Sequence, residues 1–208
     1  MRLKSALRRG VAAAVIAGIV VSSGIPAYAI PWNIADGDIT VKAGDTEGTN
    51  KVKQGDSDFV RDEGDTIITG TSNQNTVTID TSEGNVDVTF GNLNIDASSG
   101  NEAAVSVTGS GDTNIELDGD NELKSGRNRA GLEHNQTVDS EGNVTSGKLT
   151  IQDDNDKAGS LDATGGLYGA GIGGGDAQNG QVTITGGDIT ATAGSTAGSY
   201  QTSGGGAG

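Results

Sequence analysis

From about Asp36 onward the chain is a series of short runs in which β-branched apolar residues alternate with polar ones, punctuated by Gly, Asn and Asp. The runs are "ITV" (39–41), "TIIT" (66–69), "TVTID" (76–80), "VDVTF" (86–90), "AVSV" (104–107), "NIEL" (114–117), "KLTI" (148–151) and "QVTITGGDITAT" (181–192). A period of two predicts strands with one buried face. No stretch after the N-terminal segment sustains a helical period. Such regular alternation argues against disorder, although the Gly-, Ser- and Asp-rich composition alone would fit it.

The runs also align with one another. Each unit opens on an apolar pair: Val86/Val88, Ile115/Leu117, Leu149/Ile151 or Val182/Ile184. A second apolar position follows a short polar corner, at Leu93/Ile95, Leu123, Leu161 or Ile189. A small-residue segment closes the unit: Ala103-Ala104-Val105, Ala130-Gly131-Leu132, Ala170-Gly171-Ile172 or Ala197-Gly198. Successive units begin 29, 34 and 33 residues apart, a spacing that signals stacked repeats. Three strands per repeat with tight corners predict an all-β, right-handed parallel β-helix of about five to six coils over 36–208. In this reading "GAGIGGG" (169–175) is a corner with its strand, and not a linker. The polar stretch "EHNQTVDSEGNVTSG" (133–147) is an insertion between coils, and "SYQTSGGGAG" stops midway through a coil, as in a piece of a longer surface protein.

The first 29 residues read differently. Arg2, Lys4, Arg8 and Arg9 precede the apolar stretch Val11 to Val21, and Ala27-Tyr28-Ala29 supplies the small residues of a cleavage site. That order predicts a secretory signal peptide at 1–29, followed by a linker at 30–35. The apolar stretch is about half of the ~20 residues that span a bilayer, so no membrane insertion is expected after cleavage. The signal holds four of the 13 basic residues and none of the 28 acids, leaving 9 against 28, a net charge of −19. Such a surface repels phosphate polyanions, which excludes nucleic acid as an expected partner. The absence of cysteine means that stability outside the cell must come from a repetitive hydrogen-bonded scaffold or from bound ions.

"NVDVTFGNLNIDASSG", "TNIELDGDNELKSG", "AGLEHN", "GKLTIQDDNDKAGSLDATGG" and "GAGIGGG" followed by "GQVTITGGDITATAG" resemble a family of secreted bacterial β-helix domains labelled carbohydrate-binding, related in fold to pectate lyases. The likeness covers about 36–208. It implies a module, secreted or held at the cell surface, that binds plant cell-wall polysaccharide without catalysis, with Ca²⁺ in characterised members. The alternatives are a structural stalk or adhesin solenoid, and a polysaccharide lyase.

Candidate ligand residues follow from chemistry. Tyr168 and Tyr200 sit at equivalent corners, where aromatic rings can stack on sugar faces. Lys124, Arg127 and Arg129, with Lys148, gather basic charge around the insertion, which either seats a uronic acid chain or neutralises Glu122, Glu133 and neighbouring aspartates. His134, the only histidine, is placed in the insertion, where a solvated side chain is expected. Asp153, Asp154 and Asp156 share one corner and Asp118 and Asp120 the corner of the previous coil, so stacking brings together oxygens suited to Ca²⁺. No lyase motif is evident.

Overall fold

The computed structural model describes residues 31–62 and 64–195. The expected signal peptide, the Ala197-Gly198 segment and Tyr200 lie outside the described residues.

The described chain is all-β, with one 3₁₀ turn at Ile34–Asp36. Its strands are β1 (Trp32–Asn33), β2 (Ile39–Ala43), β3 (Asn50–Gln54), β4 (Val60–Asp62), β5 (Ile67–Ser72), β6 (Val77–Asp80) and β7 (Val86–Asp96). They continue as β8 (Val105–Thr108), β9 (Thr113–Lys124), β10 (Leu132–His134), β11 (Leu149–Gln152) and β12 (Gly159–Thr164). The last three are β13 (Ile172–Gly173), β14 (Val182–Ile184) and β15 (Asp188–Thr192). One sheet runs in the order β1-β5-β7-β9-β11-β14, with β12 joined to β9 and β15 to β12. The other runs β13-β10-β8-β6-β2-β3-β4. Every pairing in the first sheet is parallel, as is the second sheet from β2 to β13.

Parallel pairing puts equivalent residues of successive repeats side by side, so the alternating apolar positions form rows. Ile39, Val77, Val105, Leu132 and Ile172 make one row. Val88, Ile115, Ile151 and Ile184 make a second, and Ile95, Leu123, Ala163 and Ala191 a third. With Phe90 and Leu117, the residues of these rows form a single buried core, except at the last repeat, where Ala191 packs on it partly buried and Ile184 lies outside it, half exposed. Each fully buried aliphatic side chain contributes about 1.5–3 kcal/mol.

The register differs from the sequence alignment by two residues. Ile115 faces Val88 and Ile151, whereas Val86 and Leu149 both face Thr113. A shift of two leaves every side chain on its own face, so alternation alone cannot detect it. The same slip puts Asn121, not Leu123, beside Leu161. Asn121 is buried, and the corner keeps it satisfied: Oδ1 accepts from Leu93 N at 2.8 Å, and Nδ2 donates to Ser160 O at 3.0 Å.

Two expectations are corrected at the N-terminal end. The segment assigned as linker, 30–35, enters the fold at Trp32, whose strand pairs with Ile68 and Thr69, and Ile34 is fully buried. The Trp32 indole donates to Asp62 Oδ2 at 2.8 Å, tying it to β4. Strands β2, β3 and β4 form an antiparallel meander, so not every strand here is parallel. Its short turns, at 44–49 and 55–59, permit the direct reversal that parallel neighbours cannot make.

The glycines mark corners where backbones touch. A Cβ on Gly126 would collide with the carbonyl oxygen of Gly100, one on Gly166 with that of Gly126, and one on Gly194 with that of Gly166. A second column stacks Gly147 on Gly111 and Gly111 on Gly84 in the same way. These positions require glycine for want of space. The triple glycine has three separate causes: Gly173 has φ +123°, Gly174 lies against the Gln178 carbonyl, and a Cβ on Gly175 would stand 2.6 Å from Asn128 O.

Candidate functional site

The glycine column beginning at Gly100 builds the candidate site. Two five-residue turns, Gly126 to Ala130 and Gly166 to Ala170, lie one over the other, and Gly166 N donates to Arg129 O at 3.0 Å. Asn128 and Tyr168 occupy the same place in these turns, and Asn128 N donates to Leu167 O at 2.8 Å. Both have left-handed backbones, with φ 67° and 70°. Asparagine adopts this conformation readily, but a bulky aromatic there is strained by about 1–3 kcal/mol, a feature that clusters at ligand sites. The turn half-buries Tyr168 and sets its ring 5.7 Å from the Arg127 guanidinium carbon, within cation–π range.

Beside this pair is a cleft of about 480 Å³, lined by Asn101, Arg127, Asn128, Arg129, Glu133, Asn135, Gly175, Asp176 and Gln178. Arg129 is fixed within it: Nε donates to Asn101 O and an Nη to Glu133 Oε1, each at 3.0 Å. Glu133 is buried, and its other contacts are Ala130 N at 3.1 Å and Asn135 Nδ2 at 3.1 Å. Asn135 Oδ1 accepts from Gly175 N at 2.9 Å, which fastens the triple-glycine corner to the opposite wall. Arg127 is exposed and makes no ion pair with a carboxylate among the described residues. The cleft therefore offers one held guanidinium, one available guanidinium and several amides, a donor set that matches hydroxyls and carboxylates.

The other expected ligand residues fall elsewhere. Lys124 pairs with its neighbour Glu122 on the outer face of β9. Lys148 is exposed just before β11. His134 is not a solvated loop residue: it ends β10 beside Val107, is 2% exposed, and its Nε2 stands 2.9 Å from Gly147 O. The Gly147 carbonyl can only accept, so Nε2 carries the proton, and the buried Nδ1 has no partner among the described residues. The insertion itself begins after His134. It closes as a small hairpin in which Thr145 N donates to Thr137 O, and Asp139 gathers Glu141 N, Asn143 N and Asn143 Nδ2, each at 2.9 Å. These bonds, that from the Asn143 side chain foremost, hold the Asp139 carboxyl below its ordinary value.

The acidic corners do come together, but through other contacts than shared cation ligands. Asp118 accepts from Asn155 Nδ2 and Lys157 Nζ, each at 2.6 Å. Burial pushes its carboxyl up, while the Lys157 and Asn155 hydrogen bonds outweigh that and hold it below the usual carboxylate range. Asp120 accepts from Ser160 Oγ at 3.0 Å and Asp153 from Gly159 N at 3.2 Å. Asp154 and Asn155 direct their backbone N–H groups to Glu116 Oε1. Asp156 lies exposed in the same turn. Among the described residues, no three acidic or histidine side chains are gathered as metal ligands. Asp118 is already paired with the ammonium of Lys157.

Sequence reasoning missed the amide lining, Asn101, Asn128, Asn135 and Gln178. One signal was available: aligning Gly126 with Gly166 puts Asn128 on Tyr168 and Arg129 on Gly169, so a turn that presents Tyr168 also presents Asn128.

Compared with known proteins, the chain matches no family model, and no curated protein or solved structure matches it significantly. Its functional reading therefore rests on the geometry of this cleft.

Proposed function

We propose that this chain is a secreted, non-catalytic carbohydrate-binding module, wound as a right-handed parallel β-helix, that holds an acidic polysaccharide of the plant cell-wall type. The rows of equivalent residues and the glycine columns support the helical winding. The observation that carries the binding reading is Arg127, an exposed guanidinium without a carboxylate partner among the described residues, set over the ring of Tyr168 at an amide-lined cleft. An aromatic face accommodates the apolar side of a sugar ring, amides bond its hydroxyls, and a guanidinium pairs with a uronate carboxylate. Residues 1–29 act as the export signal in this reading.

The test is a pull-down on insoluble polysaccharides together with a glycan array, both run with and without EDTA. Binding to uronic-acid chains is expected, weakened about tenfold or more by Arg127→Ala, the loss of roughly one charge-assisted hydrogen bond. Tyr168→Ala should weaken it as well. Binding to no glycan would overturn the reading in favour of a structural stalk. Release of products with unsaturated ends would make the protein a lyase. Loss of binding with EDTA would add Ca²⁺ to the complex.

A further inference from the structure

The loop that closes the cleft carries the only Asn-Gly step in the chain, Asn179-Gly180. Both residues are exposed. The Asn179 side chain and the Gly180 N–H have no hydrogen-bond partner among the described residues, although Asn179 O accepts from Gln136 N at 2.7 Å. No other asparagine is followed by glycine, and several are also held by their side chains. Asn121, Asn135, Asn143 and Asn155 have hydrogen-bonded side chains, and each is followed by a residue with a side chain that shields its backbone nitrogen.

We propose that Asn179 is a site of spontaneous deamidation in the folded protein, and that its conversion weakens the neighbouring cleft. The Gly180 backbone nitrogen gives up its proton and attacks Asn179 Cγ. A nitrogen–carbon bond forms, the Cγ–Nδ2 bond breaks, and the departing nitrogen leaves as ammonia after taking up a proton. Water then opens the cyclic imide at one of its two carbonyls, giving aspartate or isoaspartate. No oxidant, reductant or cofactor is needed, because water is the only co-reactant.

The position makes the change consequential. Gly180 is packed so closely on Gly173 that a Cβ there would come within 2.6 Å of Gly173 Cα. Asn179 O is tied to Gln136, and the preceding Gln178 and Asp176 line the cleft with Arg127 and Arg129. Ala177 is already in a left-handed conformation, φ 55°, so the turn has little slack. Isoaspartate lengthens the backbone by one carbon between these fixed contacts. Either product adds a carboxylate beside a site whose ligand, in the reading above, is an anion; the effect on affinity rests on that reading.

The experiment ages the intact secreted protein in mildly alkaline buffer, maps its peptides by mass spectrometry and labels isoaspartate with an isoaspartyl methyltransferase. Asn179 should convert before any other asparagine, Asn179→Gln should resist, and aged wild type should lose affinity for a uronate chain several-fold while the aged variant keeps it. An unconverted Asn179 in the folded chain, with conversion in a synthetic peptide of the same residues, would overturn the site. Full conversion with undiminished uronate binding would overturn its link to the cleft. If fresh protein binds no glycan, the carbohydrate reading fails, while the mass measurement still decides the modification.

Discussion

The corner carrying Arg127, Asn128 and Tyr168 and the corner carrying Asp118, Asp120 and Asn155 are both built by stacking one tight turn on the next, yet they leave different chemistry open. At the acidic corner Asp118, Asp120, Asp153 and Glu116 are all bound, to Lys157 and Asn155, Ser160, Gly159 N, and Gln152 respectively. Much of the negative charge there serves to join one repeat to the next. At the other corner Arg129 is bound in the same manner by Glu133, but Arg127 is not. Abundance of a residue type is thus a poor guide to a site; what remains unpaired after the repeats have stacked is a better one.

The largest effect should come from breaking the stacking that builds the cleft corner. Gly166→Ala drives a methyl group into the Gly126 carbonyl and should cost about 3 kcal/mol, because neither backbone can move without opening the column. Gly100→Ala is its control: the added carbon meets nothing closer than Ala97 O at 3.6 Å and should cost under about 1 kcal/mol. Denaturant unfolding distinguishes them, and equal losses would show that the column does not set the corner. Next is Glu133→Gln, which keeps the volume but replaces an acceptor of Arg129, Ala130 N and Asn135 with an amide. About 1–2 kcal/mol of stability should be lost, together with the fixed position of Arg129.

The acidic corner should respond less, and to pH. The folded pKa of Asp118 is lowered, so its contribution is complete above the unfolded value of about 3.9 and disappears as pH falls through the folded value. The Lys157 side chain is 68% exposed, so solvent screens the pair and its contribution is small. Unfolding curves of wild type and Asp118→Asn should therefore differ near neutral pH and converge in acid. Curves separated equally at both pH values would mean that the carboxylate charge plays no part.

The period-two pattern made much of this architecture legible. Alternation turns Val86, Val88, Ile115, Leu117, Leu149 and Ile151 inward, and all are buried. The alignment of Ala170-Gly171-Ile172 with Ala130-Gly131-Leu132 also agrees with the observed pairing of Leu132 and Ile172. What alternation lacks is a phase beyond two residues, and so the slip between Val86 and Thr113 went unseen. Burial of polar groups was equally hidden. Asn121, Glu133 and His134 look like surface residues in the sequence, and only the corner geometry supplies the partners that let them sit inside. The site was half legible for the same reason. Arg127, Arg129 and Tyr168 stood out by type, but whether a cation is spent depends on a carboxylate from another part of the repeat.

That dependence sets the smallest expected change in stability and the sharpest test of the comparison. Arg127→Ala removes an exposed side chain that, among the described residues, rests on the ring of Tyr168 and pairs with no carboxylate, so folding stability should move by no more than about 0.5 kcal/mol. Lys124→Ala removes a cation already paired with Glu122 and should be equally mild. If unpaired charge marks the site, binding to an acidic glycan falls with Arg127→Ala and is unchanged with Lys124→Ala at the same ionic strength. Equal losses in the two variants would mean that the ligand senses only the total charge of this side of the molecule. The cleft would then have no special claim, because screening acts alike on any exposed cation, whereas a bonded carboxylate requires one guanidinium at one place.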